Sequence, residues 1–499
     1  MLTPNTDDGT TQAALGIDGP FSALPKYMSV ESIKGEKSLI QGIKRLAVHS
    51  GFVWSDPCSG REMWAVGSAV RVTVSHRDEL VLFTTNTSSS GRVMTEGGYG
   101  AEPRSDEVES VSFSSLFEDT QTQDAYSPAQ ILSRVWSVLS ERFDSPACEE
   151  RAIAYFGQVF DPDHPGDEGV WSGWPDAFLC VPELLYTQDR ETGTSTLLKI
   201  GGGDLVSALS TQVQDEGDGG HADSGSVEWM DQESKESWTL RVEEVVRDAE
   251  KGRVDKVVLA RARCGRAPAG FNFDVQASLD HLWRSRDEGT VFSIAGDDQV
   301  FLGITPEHLV RVADGHVETH ALAGTLGRNQ GREALQDPKL LREHDLVVEQ
   351  VKRDLASVVA PLTIDDEPTL TAAGSLVHLE TKISGPLAGR SALFSVIAAL
   401  HPTPALAGAP RALAIEWLRR NEGLRRGYYG APIGWITPKG DGVCAVAIRS
   451  ALIGDEQTWC FAGAGIVPGS NPDDEWDETA QKFMTVIDNI VLTQSEDRR

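Results

Sequence analysis

Glu475, Glu478 and Lys482 lie at i, i+3 and i+7 near the C-terminus, so on a helix they share one stripe. Two carboxylates one turn apart can hold a hard cation, with water and ligand oxygens completing its shell. Asn471 suits the helix N-cap and Pro472 the first helical position. Trp476, Ala480, Phe483 and Ile487 give that helix a separate apolar stripe to bury. Just upstream, Ala462-Gly463-Ala464-Gly465 reads as a small-residue loop whose backbone N–H groups can approach a ligand closely. The bland alternatives are a solvated acidic face or a non-catalytic calcium-binding protein. A calcium loop of the helix–loop–helix kind fits poorly, because Trp476 stands where its glycine belongs.

Other residues are placed for proton and anion chemistry. Lys256 sits in VDKVVLA, a strand pattern apolar on both faces. Lysines are rarely buried without a partner; a general base and a lysine snorkelling at a strand end are the two readings. Glu307 lies in Gly303-Ile304-Thr305-Pro306-Glu307, a turn between strands. A carboxyl there is a candidate general acid if burial keeps its proton on, against an exposed turn glutamate. Glu343 flanks the stripe Leu340, Val347, Val351 and Leu355, with His344 close to that stripe. It is a candidate metal ligand or a salt-bridging surface residue. Arg449 in AVAIRSALI shares a predicted strand face with Ala445, Ala447 and Ala451; it is expected to pair with a ligand carboxylate or a structural one. His316 and His320 are four apart on a predicted strand, roughly 13 Å, too far to share one metal.

The elements that must position these residues read as an α+β, layered protein. Strands are expected at Ala69–Val74, Ala152–Phe160, Phe178–Tyr186, Thr194–Gly202, Thr290–Gly296 and Cys444–Ile453, with a hairpin turning at Asp314-Gly315. Helices are expected at Ser127–Phe143, Trp238–Glu250, Asp337–Val359, Ala392–Leu400 and Ala409–Arg420. The expected organisation is a polar, disordered stretch over 1–20, an N-terminal half over 21–210, an acidic linker over 211–237 and a chemical half over 238–495. The formal charge of −30 argues against nucleic-acid and anionic-membrane partners. Six cysteines without a CxxC pair read as reduced, and no leader or membrane-length apolar run stands out; a cytoplasmic protein is expected.

Together the strings KVVLAR, GITPEHL, ALAGTLGR, REHDLVVE, VHLETKISG, LHPTPALAGAP, RGYYGAPIGW, AIRSALI and FAGAGIVPGSNPDDEWDETAQK resemble the chorismate-utilising enzymes. They run in order from about Trp238 to Leu492, and the N-terminal half matches only loosely. The resemblance implies a large two-sheet β core flanked by helices. Members that add water carry a lysine at the position of Lys256, and amine-adding members generally lack it. ALAGT at Ala321–Thr325 has no lysine where the aminodeoxychorismate type carries its nucleophile. LHPTPALAGAP is most similar to isochorismate synthases, with salicylate synthases the alternative. The resemblance implies magnesium on Glu343 and Glu478 with Glu475 close by, and the substrate's enolpyruvyl carboxylate on Arg449, Tyr429 and the Gly465 N–H beside Gly463. It implies Lys256 as base for water, Glu307 as acid to the leaving hydroxyl, and Thr325, His378 and Lys482 lining the pocket. No glutaminase subunit is expected, and a monomer is.

Overall fold

The structure is a computed structural model. It describes residues 24–25, 28–57, 59–75, 80–85, 108–112, 116, 126–143, 153–164, 169–203, 205–206, 209, 226–285, 289–327, 335, 338–373, 376–388 and 392–495. Two large sheets dominate them, each of twelve strands, and every strand pair within them is antiparallel. The sheets stack through an aromatic core, where Phe52 of one lies 4.9 Å from Tyr155 of the other. Tyr428, Phe292 and Phe301 are fully buried in the same core. Helices Lys37–Ser50 and Val275–Ser285 cover the outer face of the first sheet with Leu39, Ile43, Leu279 and Leu282. On the second sheet, helix Pro128–Leu139 buries Ile131, Leu132, Val135 and Trp136, a 3.6-residue stripe, behind a Ser127–Gln130 capping box.

Each sheet is built from both halves of the chain. In the first, Gly51–Asp56 pairs with Thr290–Ala295; in the second, Ala154–Gln158 pairs with Pro432–Ile436. The division expected between residues 210 and 238 therefore does not coincide with a break in either sheet. The linker expected over 211–237 needs correction in its described part. Glu228–Asp231 is an edge strand on Lys256–Arg266, and Ser234 caps the helix Lys235–Glu250. Residues 1–20 and 211–225 lie outside the described residues.

Two neighbouring strands cross together from one sheet to the other, and this crossing positions the site. Val300–Thr305 pairs with Ser450–Ile453 in the first sheet. A few residues away, His308–Ala313 pairs with Gly442–Val446 in the second. The bends fall at Pro306-Glu307 and at Ala447–Arg449. They are tied by the Val446 N–H to the Glu307 carbonyl at 3.0 Å and by the Thr305 hydroxyl to the Val446 carbonyl at 2.6 Å. Arg449 turns the chain with φ of +50°, a conformation few non-glycine residues adopt. Its carbonyl accepts from the Ile304 N–H at 3.1 Å, and a Cβ on Gly303 would come within 2.7 Å of that carbonyl.

This corrects the single strand expected over Cys444–Ile453: Arg449 does not share a strand face with Ala445, Ala447 and Ala451. The strand expected over Phe178–Tyr186 divides in the same way, into Ala177–Val181 in the second sheet and Leu184–Asp189 in the first. The hairpin does turn at Asp314-Gly315, with φ of +50° and +73°.

Candidate active site

A cavity of 420 Å³ opens where the two strands cross. Lys256, Glu307, Tyr429, Arg449, Gly463, Gly465, Glu475, Glu478 and Lys482 all line it. The side chains of Glu343, Thr325 and His378 lie outside the described ones. The backbone pairs Thr325 with His378, just past a bulge from Ala323, which lines the cavity with Leu322.

Lys256 opens the strand Lys256–Arg266 and is 8% exposed. Its stem crosses the face of Gly465: a Cβ there would lie 2.7 Å from the lysine Cε and 3.1 Å from Nζ. Gly463 and Gly465 are not a loop, as the sequence led us to expect. They sit inside the strand Gln457–Ile466, opposite Ala260 and Val258. Glycine is needed at 463 because a Cβ would press on the Leu259 carbonyl at 2.9 Å and the Tyr429 hydroxyl at 3.1 Å.

The ladder also aims these glycines. The Val258 N–H bonds to the Ala407 carbonyl and its carbonyl accepts from Arg426, so both point away from Gly465. In an antiparallel ladder such a pair turns the partner's backbone groups outward as well, so Gly465 offers its N–H on the cavity side. The Ala260 N–H likewise bonds Glu422 at 2.8 Å, and the Gly463 carbonyl accepts from Lys482 at 2.8 Å.

A buried ion pair fixes this wall. Arg426 donates to Glu422 Oε2 at 2.7 Å and to the carbonyls of Val258 and Leu406 at 2.6 and 2.8 Å. Both side chains are almost fully buried. Tyr429 follows three residues on, its N–H bonded to the Arg426 carbonyl. Burial pushes the Tyr429 hydroxyl up to about 12, against the pull of Arg426 and Arg449.

The helix Pro472–Ile487 forms the opposite wall. Asn471 caps it by accepting from the N–H groups of Asp473 and Asp474. Thr479, Phe483 and Val486 are its fully buried residues. Trp476 is half-buried, with the Arg261 guanidinium 3.6 Å from its ring. Glu475, Glu478 and Lys482 therefore face the cavity, and Lys482 donates to Glu478 at 2.6 Å. The acids belong to a capped helix, which is not the geometry of a calcium loop. Burial lowers the Lys482 amine from its usual value, opposed by Glu478, and lowers the Arg449 guanidinium, opposed by Tyr429 and Glu478. Burial raises the Glu307 carboxyl above the ordinary carboxylate range, against the pull of His320, Lys256 and Lys482.

Among the described residues no three metal-ligating side chains form a ready-made cage. Glu475 and Glu478 on one wall nevertheless suit a cation that keeps several waters and takes one or two protein carboxylates. The sequence reading missed Thr371, which lines the cavity and donates to Glu380, and Glu380 itself, which binds His320. No local pattern marks them, because they meet only through strand pairing.

The chorismate binding enzyme family matches residues 69–491. The chain belongs to that family. It is 36% identical over 259 residues to the salicylate biosynthesis isochorismate synthase of Pseudomonas aeruginosa, an alignment covering 50% of this chain and 54% of that protein. It is 32% identical over 355 residues to the isochorismate synthase MenF of Bacillus subtilis, covering 67% and 74% respectively. In three dimensions it matches MenF, the menaquinone-specific isochorismate synthase from Escherichia coli. The TM-score is 0.68 at 22% identity, over 93% of this chain and 94% of that one. That likeness agrees with the two-sheet fold. Among the described residues no helix is long and apolar enough to cross a membrane.

Proposed function

We propose that the protein is an isochorismate synthase, converting chorismate to isochorismate with magnesium. The observation that carries this reading is that Lys256 and Glu307 line one cavity together with Arg449 and Lys482. Lys256 takes a proton from water as the water oxygen bonds to C2 of the ring. The double bonds shift, and the C4–O bond breaks. Glu307 gives its proton to the departing hydroxyl, which leaves as water. Glu307 suits the acid role because burial keeps its proton on at pH values where an ordinary carboxylate has lost it.

Arg449, Tyr429 and the Gly465 N–H hold the enolpyruvyl carboxylate, a planar anion matched by a guanidinium fork. Thr325, His378 and Lys482 complete the pocket wall. Glu475 and Glu478, joined by Glu343, would hold the magnesium ion, which when bound offsets the ring carboxylate's charge beside so acidic a protein. The substrate is a small molecule rather than a nucleic acid, and the nucleophile is water rather than ammonia, so a glutaminase subunit has no place in this reaction.

The test is to incubate the purified protein with chorismate and magnesium and identify the product. Isochorismate is expected; salicylate would move the assignment to the salicylate synthases. Lys256→Ala is expected to abolish turnover while leaving chorismate binding intact. Normal turnover in that variant would remove the base assignment.

A further inference from the structure

The string KVVLAR ends in an arginine that the reaction as described does not use. Arg261 stands five residues beyond Lys256 in the strand Lys256–Arg266, so its side chain leaves the opposite face of the strand from the lysine. It is 3% exposed and packs against the helix Pro472–Ile487. Its Nε donates to the Thr479 hydroxyl at 2.7 Å, and one terminal nitrogen donates to the Trp476 carbonyl at 3.3 Å. The Thr479 hydroxyl passes the bond on, donating to that same carbonyl at 2.8 Å. The guanidinium lies 3.6 Å from the centre of the Trp476 ring and 4.8 Å from that of Phe483. Its other terminal nitrogen donates at 2.5 Å to Asp231, on the edge strand Glu228–Asp231, and Arg263 shares that carboxylate at 3.3 Å.

On the helix, anchors alternate with acids. Trp476 follows Glu475 and Thr479 follows Glu478, each about 100° further around the helix. Fixing Trp476 and Thr479 on the sheet therefore fixes how Glu475 and Glu478 meet the cavity. A helix with its side chains is about 5–6 Å in radius, so a roll of about 10° carries a carboxylate about 1 Å. Magnesium takes its ligands at about 2.0–2.1 Å in a near-ideal octahedron and tolerates little such movement. A second ion pair on this helix, Lys235 with Asp473 at 2.7 Å, is largely exposed on both sides and holds weakly. Arg261 is buried and makes its bonds through a planar fork.

We infer that Arg261, braced by Asp231, is a positioning residue that sets the helix carrying Glu475 and Glu478 and thereby the affinity of the cavity for its divalent ion. The inference rests on the magnesium reading of those two acids. Arg261 touches neither substrate nor ion; it acts through the two residues of the helix that it grips.

The test reads metal binding directly, with Mn2+ as the probe. Free Mn2+ is followed by electron paramagnetic resonance as it is titrated into the purified protein in the presence of chorismate. Arg261→Gln is expected to weaken Mn2+ binding about tenfold, the loss typical when a group that orients a metal ligand is removed. Asp231→Asn and Thr479→Val, which keeps the shape and loses the hydroxyl, are expected to weaken it less and in the same direction. Lys235→Ala is expected to bind Mn2+ as the parent does. The magnesium concentration giving half-maximal turnover is expected to rise in Arg261→Gln by the same factor, with kcat recovering toward the parent as magnesium is raised. Thermal melts establish that each variant is folded; if Arg261→Gln does not fold, Asp231→Asn and Thr479→Val decide. Parent-like Mn2+ affinity in the folded variants, an equal loss in Lys235→Ala, or a fall in kcat that magnesium does not restore while Mn2+ binds normally, would overturn the inference. Glu478→Gln separates the two levels: if the parent binds Mn2+ no better than Glu478→Gln does, the metal reading falls and this inference with it, whereas parent-like affinity in Arg261→Gln alone removes only the role of the arginine.

Discussion

Glu307 carries opposite demands on stability and chemistry. Its raised pKa means that the folded protein holds a proton which the unfolded chain releases above about pH 4.5. Between the unfolded and folded pKa values the native state binds more protons, so stability falls as pH rises through that window. Each unit of elevation costs about 1.4 kcal/mol at higher pH. Glu307→Gln is therefore expected to lose turnover yet melt at the same or a higher temperature than the parent at pH 8, with the difference vanishing near pH 4. A variant that melts markedly lower at pH 8 would show that the carboxylate stabilises the fold. Gly465 makes a second prediction at this scale. Gly465→Ala places a methyl 2.7 Å from the Lys256 Cε, so the amine must move. A fall in kcat of roughly a hundredfold is expected for a displaced catalytic group, with the fold intact by melting temperature; unchanged kcat would contradict the packing of lysine on glycine.

The elements behind the site are held by few, well-buried contacts. Arg426 serves Glu422 and the Val258 and Leu406 carbonyls, while Glu422 also accepts from the Ala260 N–H. Arg426→Leu leaves a buried carboxylate and two carbonyls without their donor, and is expected to cost about 3–5 kcal/mol in chemical denaturation. A cost below about 1 kcal/mol, the level of an exposed pair, would mean that the wall does not depend on this ion pair.

Much at this scale was legible from sequence. The capped helix Pro472–Ile487, the helix Pro338–Leu355 with His344 buried on its stripe, and the Asp314-Gly315 turn carry their signals within a few residues. The strand crossing was not legible. AVAIRSALI has the texture of one buried strand, and the change of sheet at Arg449 is set by Gly303 and Thr305, far away in sequence. Gly463 and Gly465 read as a loop because glycine is a poor strand former. Their reason, close approach by Lys256 and Tyr429, is tertiary. His320 was visible and set aside as a metal ligand, since nothing local ties it to Glu380.

At the scale of the molecule, the proposed reaction sets a chain of formal charge −30 against a small anionic substrate. Arg449 and Lys482 line the cavity and answer part of that charge there. A divalent ion on Glu475 and Glu478 answers the rest in our proposal. Excess chelator is expected to abolish turnover, with recovery on adding magnesium; full activity in chelator would remove the metal from the account. The interleaving of both halves in each sheet also has a consequence. Cutting the chain between residues 210 and 226 is not expected to yield two independently folded pieces, and separate expression of the halves, followed by melting, checks this.

The central claim is that water bound at Lys256 becomes the new hydroxyl while the old one leaves over Glu307. The most direct test runs chorismate, magnesium and the protein in water enriched in oxygen-18 and weighs the product at early times. The account predicts isochorismate carrying one oxygen-18 atom at C2. Isochorismate formed without the label would contradict it, because the hydroxyl would then have moved within the substrate and neither the lysine nor the glutamate would have the role assigned here.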